Sequence, residues 1–165
     1  LLLKAADESP RGISIYGQEK DVANTALAKM NMILHDNPSA EIAAGGSSTL
    51  SAPAFAPTTT ELKKFDFIVA NPPFSLKSWQ NGFAKDEKKN TINDLYNRFD
   101  YGLPPSKNGD YAFLLHIISS LKSTGNGAVI LPHGVLFRGN AEGNIRREVI
   151  KRGYIKGVIL SLIHI

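Results

Sequence analysis

A six-residue run, Phe-Asp-Phe-Ile-Val-Ala at residues 65–70, ends directly in Asn71-Pro72-Pro73-Phe74, and this junction constrains the chain more than any other feature. The run is apolar at nearly every position, the pattern of a strand with both sheet faces covered. Two consecutive prolines then stop it, because each fixes φ and lacks an N–H donor. The resulting turn is stiff and presents two acceptors, the Asn71 side-chain oxygen and the Pro72 carbonyl. In open α/β sheets ligands bind beyond the carboxyl ends of the strands, which is where this turn falls. A ligand suited to it donates twice, as an exocyclic amino group does. Accepting both hydrogens draws the nitrogen lone pair out of conjugation and points it at an electrophile held opposite. Phe74 adds a flat apolar face on which a base can stack, worth about 1–3 kcal/mol. No general base is needed before the nitrogen attacks, since it loses its proton afterwards. A bare Asn-Pro-Pro is equally an ordinary turn; the apolar strand before it and Phe74 after it favour the ligand-binding loop.

The rest of the chain alternates between strand and helix patterns. Residues 12–17 are β-prone, and Asp21 opens a helix over 22–35 in which Val22, Ala26, Met30 and Ile33 recur at helical spacing. Residues 40–57 are rich in Ala, Gly, Ser and Pro and read as loop, with 41–44 the one stretch able to form a short strand. Asp110 starts a strongly apolar helix over 111–121, ended by Gly125 and Gly127, and 128–131 reads as a buried strand closed by Pro132. Asn140 caps a basic helix at 145–152 that stops at Gly153, and 155–160 reads as a last strand. Such alternation predicts a doubly wound, mostly parallel α/β sheet with helices on both faces. Between them, residues 75–107 carry Trp79, Phe83, Tyr96, Phe99 and Tyr101 among Lys77, Lys85, Lys88, Lys89 and Arg98. A connection of that length is seldom filler in a compact domain, and its composition points to a contact with DNA or a partner. The basic helix, with Arg146, Arg147, Lys151 and Arg152, reads more simply as a solvated face.

At 165 residues, the chain is long enough for a single domain with its own core. It begins at Leu1 without methionine and ends in Leu162-Ile163-His164-Ile165 without a turn, and so reads as an excerpt truncated at both ends. Leu1-Leu2-Leu3 is interrupted by Lys4, Asp7 and Glu8, and no apolar run nears the ~18 residues that span a bilayer, so a cytoplasmic chain without membrane contact is expected. Zero cysteines exclude thiolate metal sites, and His35, His116, His133 and His164 are too scattered for a local ligand pair, so no metal is expected. The 19 basic and 15 acidic residues give +4, a mild bias toward polyanions.

Three stretches together resemble the modification subunit of type I restriction-modification systems, of the N6-adenine DNA methyltransferase family. They are Asp-Phe-Ile-Val-Ala-Asn-Pro-Pro-Phe at 66–74, Gly-Asp-Tyr-Ala-Phe-Leu-Leu-His at 109–116, and the segment 127–139 with Leu-Pro-His-Gly-Val-Leu-Phe-Arg-Gly. The resemblance covers nearly the whole chain and implies a Rossmann-like class I S-adenosylmethionine-dependent methyltransferase fold. It implies an adenine flipped out of duplex DNA, with Asn71 and Pro72 on its N6 amine, Pro73 stiffening the loop and Phe74 stacking. A specificity subunit and a restriction subunit are the implied partners. Gly17-Gln18-Glu19 resembles the element whose acidic residue holds the ribose hydroxyls of S-adenosylmethionine, which assigns Glu19 to the cofactor. The alternative for Glu19 is a solvated acid favoured at a helix start. Asp110 is a further cofactor candidate, or else the cap of its helix.

Two departures qualify the resemblance. The family's glycine-rich donor loop, Asp-Pro-Ala-Cys-Gly-Ser-Gly, should precede Gly12, and nothing in residues 1–11 matches it. The family has Gly-Asp or Gly-Asn before Thr-Leu where this chain has Gly46-Ser47-Ser48-Thr49-Leu50, so Ser48 stands in for the residue contacting the donor's adenine. The strand entering the missing loop belongs at the sheet centre, so the strands at 12–16 and 65–70 are expected to have unpaired inner edges. The excerpt alone is then expected neither to bind S-adenosylmethionine nor to methylate DNA. Two other functions stand beside DNA methylation: N-methylation of RNA or of a protein glutamine, which the same loop geometry allows, and a non-catalytic scaffold that binds a specificity subunit, which the absent donor loop favours.

Overall fold

The computed structural model describes residues 1–9, 12–44, 46, 48–86 and 91–161. The chain is laid out as two compact units, Leu1–Lys63 with Gln80–Tyr96, and Lys64–Trp79 with Asn97–Ile165.

In the first unit, helix α1 (Leu2–Asp7) precedes strand β1 (Tyr16–Glu19), helix α2 (Val22–Leu34) and strand β2 (Glu41–Ala44). β1 and β2 are parallel, in a register that sets Tyr16 against Glu41 and Glu19 against Ala44. The turn of α2 between them makes this a β-α-β unit, and the Asp21 carboxylate caps that helix by accepting the Asn24 N–H at 2.8 Å. Ile15, Met32 and Ile42 form the core, with Leu2, Leu3, Ala6, Ala28 and Ala40 packed against it. α1 had no sequence signal of its own beyond its leucines, yet Leu2 and Leu3 are what it contributes to that core.

The inward face of α2 corrects the periodicity reading. Val22, Ala26, Met30 and Ile33 are all exposed, whereas Thr25 and Met32 are buried and Ala28 is half-buried. Thr25 can face inward because its hydroxyl donates to the Asp21 carbonyl at 2.8 Å, leaving only its methyl to pack. Strands β4 (Lys85–Asp86) and β5 (Thr91–Ile92) complete the unit as an antiparallel pair inside the stretch expected to be irregular. Lys88 and Lys89 lie outside the described residues.

In the second unit, strand β3 (Phe65–Ala70) is followed by helix α3 (Asp110–Ser120), strand β6 (Leu121–Val129), a 3-10 turn (His133–Leu136) and helix α4 (Asn140–Lys151). β3 and β6 are parallel, with Ala70 opposite Val129. The register slips between Phe65 and Phe67, where Gly125 lies so close to β3 that a Cβ there would come within 2.9 Å of the Phe65 carbonyl oxygen. Gly125 and Gly127 therefore belong to the strand and do not end the helix; α3 passes straight into β6 at Leu121. The strand also ends earlier than the expected 128–131. Asn140 is the first residue of α4, at φ 52°, and its side chain makes no cap; Gly153, at φ 69°, ends the helix as expected.

Tyr111, Leu115, Ile145 and Val149 form the core of this unit, so α3 and α4 pack on each other through it. α3 also lies against β6. β3 is less covered than its composition suggests: Phe67 is 71% exposed. Residues 155–160 make no strand pairing among the described residues, and Val158, Ile159 and Leu160 are exposed. Among the described residues β1 pairs only with β2, and β3 only with β6, which leaves one edge of each without a ladder partner.

Candidate active site

Ala70 closes β3, and the Ile130 N–H donates to its carbonyl at 3.1 Å, the last rung before Asn71 leaves the sheet. Asn71, Pro73 and Phe74 are exposed and Pro72 is half-buried. Among the described residues no hydrogen bond engages the Asn71 side chain or the Pro72 carbonyl. Phe74 leaves 54% of its surface in solvent. The loop therefore ends in two free acceptors and a free aromatic face, at the carboxyl edge of a parallel strand pair.

Ser75 turns the chain back at φ 51°. Its N–H donates to Asp110 Oδ1 at 2.7 Å, and its hydroxyl lies 3.5 Å from Oδ2. Asp110 is fully buried and does not cap its own helix, whose cap position is Gly109; the Asn108 side-chain oxygen accepts the Asp110 N–H at 3.0 Å. Asp110 Oδ2 also accepts Arg138 Nη1 at 2.8 Å, and the same nitrogen donates to Glu142 Oε1 at 3.1 Å. Glu142 is buried as well. Burial works against the Arg138 charge, but hydrogen bonds and attraction from Asp110 and Glu142 outweigh it and raise the guanidinium above its ordinary value. Ser75, Arg138 and Glu142 escaped the sequence reading, because nothing in their spacing from Asp110 shows that they converge.

In the other unit, Glu19 is the last residue of β1, and Ser48 lies in the loop beyond the carboxyl end of its partner β2. Glu19 is half-buried, and its Oε1 accepts the Asp21 N–H at 2.9 Å. Ser48 Oγ accepts the Leu50 N–H at 3.2 Å within a turn closed by a 2.8 Å bond from the Ala52 N–H to the Ser48 carbonyl. Gln18 holds that loop beside β1, donating to the Ala52 carbonyl at 3.0 Å and accepting the Ala54 N–H at 2.9 Å. Ser47, its neighbour in the motif, lies outside the described residues.

The aromatic and basic stretch after the loop is more structural than expected. Trp79 is 1% exposed, donates its indole N–H to the Pro105 carbonyl at 2.8 Å and meets Phe99 edge-on at 5.5 Å. Arg98 is equally buried and bonds His116 Nδ1 at 3.1 Å. Neither is available to DNA. On α4, Arg146 donates to the Val135 and Arg138 carbonyls, while Lys151 and the capping Arg152 pair with Glu148 on the exposed surface, as expected of a solvated face. Among the described residues no group of acidic, histidine or cysteine side chains is arranged to hold a metal, and no helix is long and apolar enough to cross a membrane.

An acceptor-bearing loop closing a parallel strand in the second unit, and polar residues at or beyond the carboxyl ends of the β-α-β strands in the first, each fit an α/β protein of the methyltransferase type. The chain belongs to the N-6 DNA methylase family, whose model matches residues 2–162. It is 32% identical to the type I restriction enzyme MpnII methylase subunit of Mycoplasma pneumoniae, over 89% of this chain and 27% of that one. It is 32% identical to the HindI methylase subunit of Haemophilus influenzae, over 89% of this chain and 30% of that one. Among solved structures, a type I restriction-modification methyltransferase subunit from Streptococcus thermophilus superposes with a TM-score of 0.73 at 38% identity, covering 92% of this chain and 31% of that one. The expected α/β methyltransferase fold is thus shown, and the chain spans under a third of the length of these relatives.

Proposed function

We propose that this chain is the base-receiving part of a DNA methyltransferase that modifies adenine N6, using S-adenosylmethionine within a type I restriction-modification complex. The observation that carries this reading is the 71–74 loop, which holds two unengaged acceptors and a 54% exposed Phe74 at the end of β3. An adenine turned out of the duplex donates its two amino hydrogens to Asn71 Oδ1 and the Pro72 carbonyl and lays its ring on Phe74. The two acceptors localise the lone pair on N6, and Pro73 keeps them from turning away. The surplus proton leaves N6 after bond formation, so the loop needs no general base.

When bound, S-adenosylmethionine supplies the electrophilic methyl carbon that N6 attacks. Glu19 suits the ribose hydroxyls of that donor, because one carboxylate oxygen is fixed by the Asp21 N–H and the other has no partner among the described residues. Ser48 keeps a hydroxyl proton to offer while its oxygen holds the Leu50 N–H. Asp110 does not suit the donor, since it is fully buried and both its oxygens are already held. Duplex DNA is the substrate, a specificity subunit reads its sequence, a restriction subunit completes the assembly, and the cytoplasm is the compartment.

The test is Asn71→Ala in a full-length methylase subunit carrying this sequence, assembled with its specificity subunit. Methylation should be abolished while S-adenosylmethionine binding is kept. Methylation at the original rate would remove Asn71 from the chemistry. Incubation with tritiated donor and DNA, RNA or protein in separate reactions identifies the acceptor, and label on RNA or protein alone would overturn the DNA assignment.

A further inference from the structure

The second unit contains a cluster of charges, two of them on buried carboxylates, that the methyl-transfer reading does not use. Asp110 is fully buried, Glu142 is 4% exposed, and the Arg138 guanidinium bridges them through one nitrogen. Two carboxylates out of water are costly unless each is paired and held in defined geometry, which the half-buried Arg138 supplies. What the arrangement holds is the exit of the base loop. The remaining oxygen of Asp110 accepts the N–H of Ser75, the residue that follows Phe74. Ser75 sits at φ 51°, a left-handed conformation that a residue with a side chain adopts only when its surroundings impose it.

A second, independent feature fits the guanidinium to its place. A Cβ at Gly134 would lie 2.5 Å from both Nε and Nη2 of Arg138, so only glycine lets the arginine lie across the 3-10 turn. The Arg138 backbone closes the same turn, donating to the Gly134 carbonyl at 3.0 Å. Arg146 then holds the Arg138 carbonyl at 2.9 Å from the next turn of α4. The arginine is thus fixed at its backbone, along its plane and at its tip, and all three restraints end at one oxygen of Asp110.

We propose that Asp110 and Arg138 are positioning residues for base capture: Arg138 orients the Asp110 carboxylate, which fixes Ser75 and with it the angle at which Phe74 and the two acceptors of the 71–74 loop meet the flipped base. This rests on the proposed base-receiving role of that loop. It gives Asp110 a task different from donor binding. Neither residue touches the base. Small displacements of a reacting group are expensive in rate, up to about a hundredfold for an ångström, so loosening Ser75 should act on turnover.

The experiment uses the full-length methylase subunit with its specificity subunit, carrying Asp110→Asn, Arg138→Ala, Arg138→Lys or the Asp110→Asn/Arg138→Ala double substitution. Turnover, the KM for DNA, S-adenosylmethionine affinity by calorimetry, and 2-aminopurine fluorescence at the target base are measured together. Asp110→Asn and Arg138→Ala should each lose roughly tenfold or more in kcat, with a weakened fluorescence change on DNA binding and unaltered donor affinity. The double variant should be no worse than the poorer single, because both act through one anchor. Arg138→Lys keeps the positive charge and should lose less than Arg138→Ala; if Arg138→Ala does not fold, Arg138→Lys and Asp110→Asn decide the matter by the same readings. Unchanged kcat in a folded variant would overturn the proposal. So would weakened donor affinity in Asp110→Asn alone, which would return Asp110 to the donor site. Asn71→Ala is run alongside: if it methylates normally the base-loop reading fails, whereas if it is inactive and the Arg138 variants are normal, only the positioning inference fails.

Discussion

Phe74 separates two quantities that usually change together. Because its ring is 54% exposed, Phe74→Ala should change folding stability by no more than about 0.5 kcal/mol, yet weaken capture of a flipped base by about 1–3 kcal/mol. Thermal unfolding and competition with a 2-aminopurine duplex measure the two, and a large stability loss would mean the ring is packed. Trp79 is the reverse case: at 1% exposure its replacement by Ala should cost about 3–5 kcal/mol of stability, with any DNA effect following from unfolding. Both residues sit within an aromatic run, and composition cannot distinguish a ring that stacks on a ligand from one that fills a core. Tyr111 makes a testable pH statement. Its hydroxyl donates to the Val135 carbonyl at 2.7 Å, and burial raises its pKa above the ordinary 10.0 despite the opposing influence of Arg146. A raised folded value favours the neutral phenol, so this contribution is complete below pH 10.0 and is lost as pH rises through the folded value. Alkaline denaturation should therefore show a stability loss that Tyr111→Phe removes, at a cost of about 0.5–1.5 kcal/mol at neutral pH for the missing hydrogen bond.

Elements were legible where local chemistry decided them. β3 was expected at 65–70 and lies there, because a run of Phe, Ile and Val stopped by two prolines has few alternatives; β2 at 41–44 was likewise placed. β6 was not, since Leu-Lys-Ser-Thr-Gly-Asn-Gly has little strand propensity and becomes a strand only by lying against β3. Gly125 carries that pairing. Gly125→Val should force the carbonyls of Phe65 and Asp66 apart and cost about 1–3 kcal/mol, read from denaturant unfolding; a neutral outcome would place the slip in register elsewhere. The α3–α4 pair was legible as two helices but not as one core. Ile145 is fully buried against Tyr111 and Leu115, and Ile145→Ala should cost about 2–5 kcal/mol by the same measurement. α2 shows the opposite failure: its apolar residues recur at helical period, yet the residues buried are Thr25 and Met32, the latter against Ile15 and Ile42.

For the chain as a whole, the surface left uncovered matters as much as the core. Leu27, Met30 and Leu34 line an outward apolar groove on α2, Ile159 is 97% exposed, and β1 and β3 each have one unpaired edge among the described residues. Apolar stripes and open edges of this kind promote association. The isolated chain of 165 residues should therefore self-associate as its concentration rises, which sedimentation velocity measures; a stable monomer at high concentration would contradict this. The order of residues alone was enough for the α/β class, for a turn at Asn71-Pro72-Pro73-Phe74 directly after β3 and for the family, because a strand stopped by two prolines is decided locally. Which aromatics are buried, which face of α2 turns inward, and the meeting of Ser75, Asp110, Arg138 and Glu142 were settled only by packing. Arg138 and Glu142 are one helical turn apart, but Ser75, Asp110 and Arg138 are separated by dozens of positions, and the buried Asp110 finds those partners through the folded backbone, not through spacing in sequence.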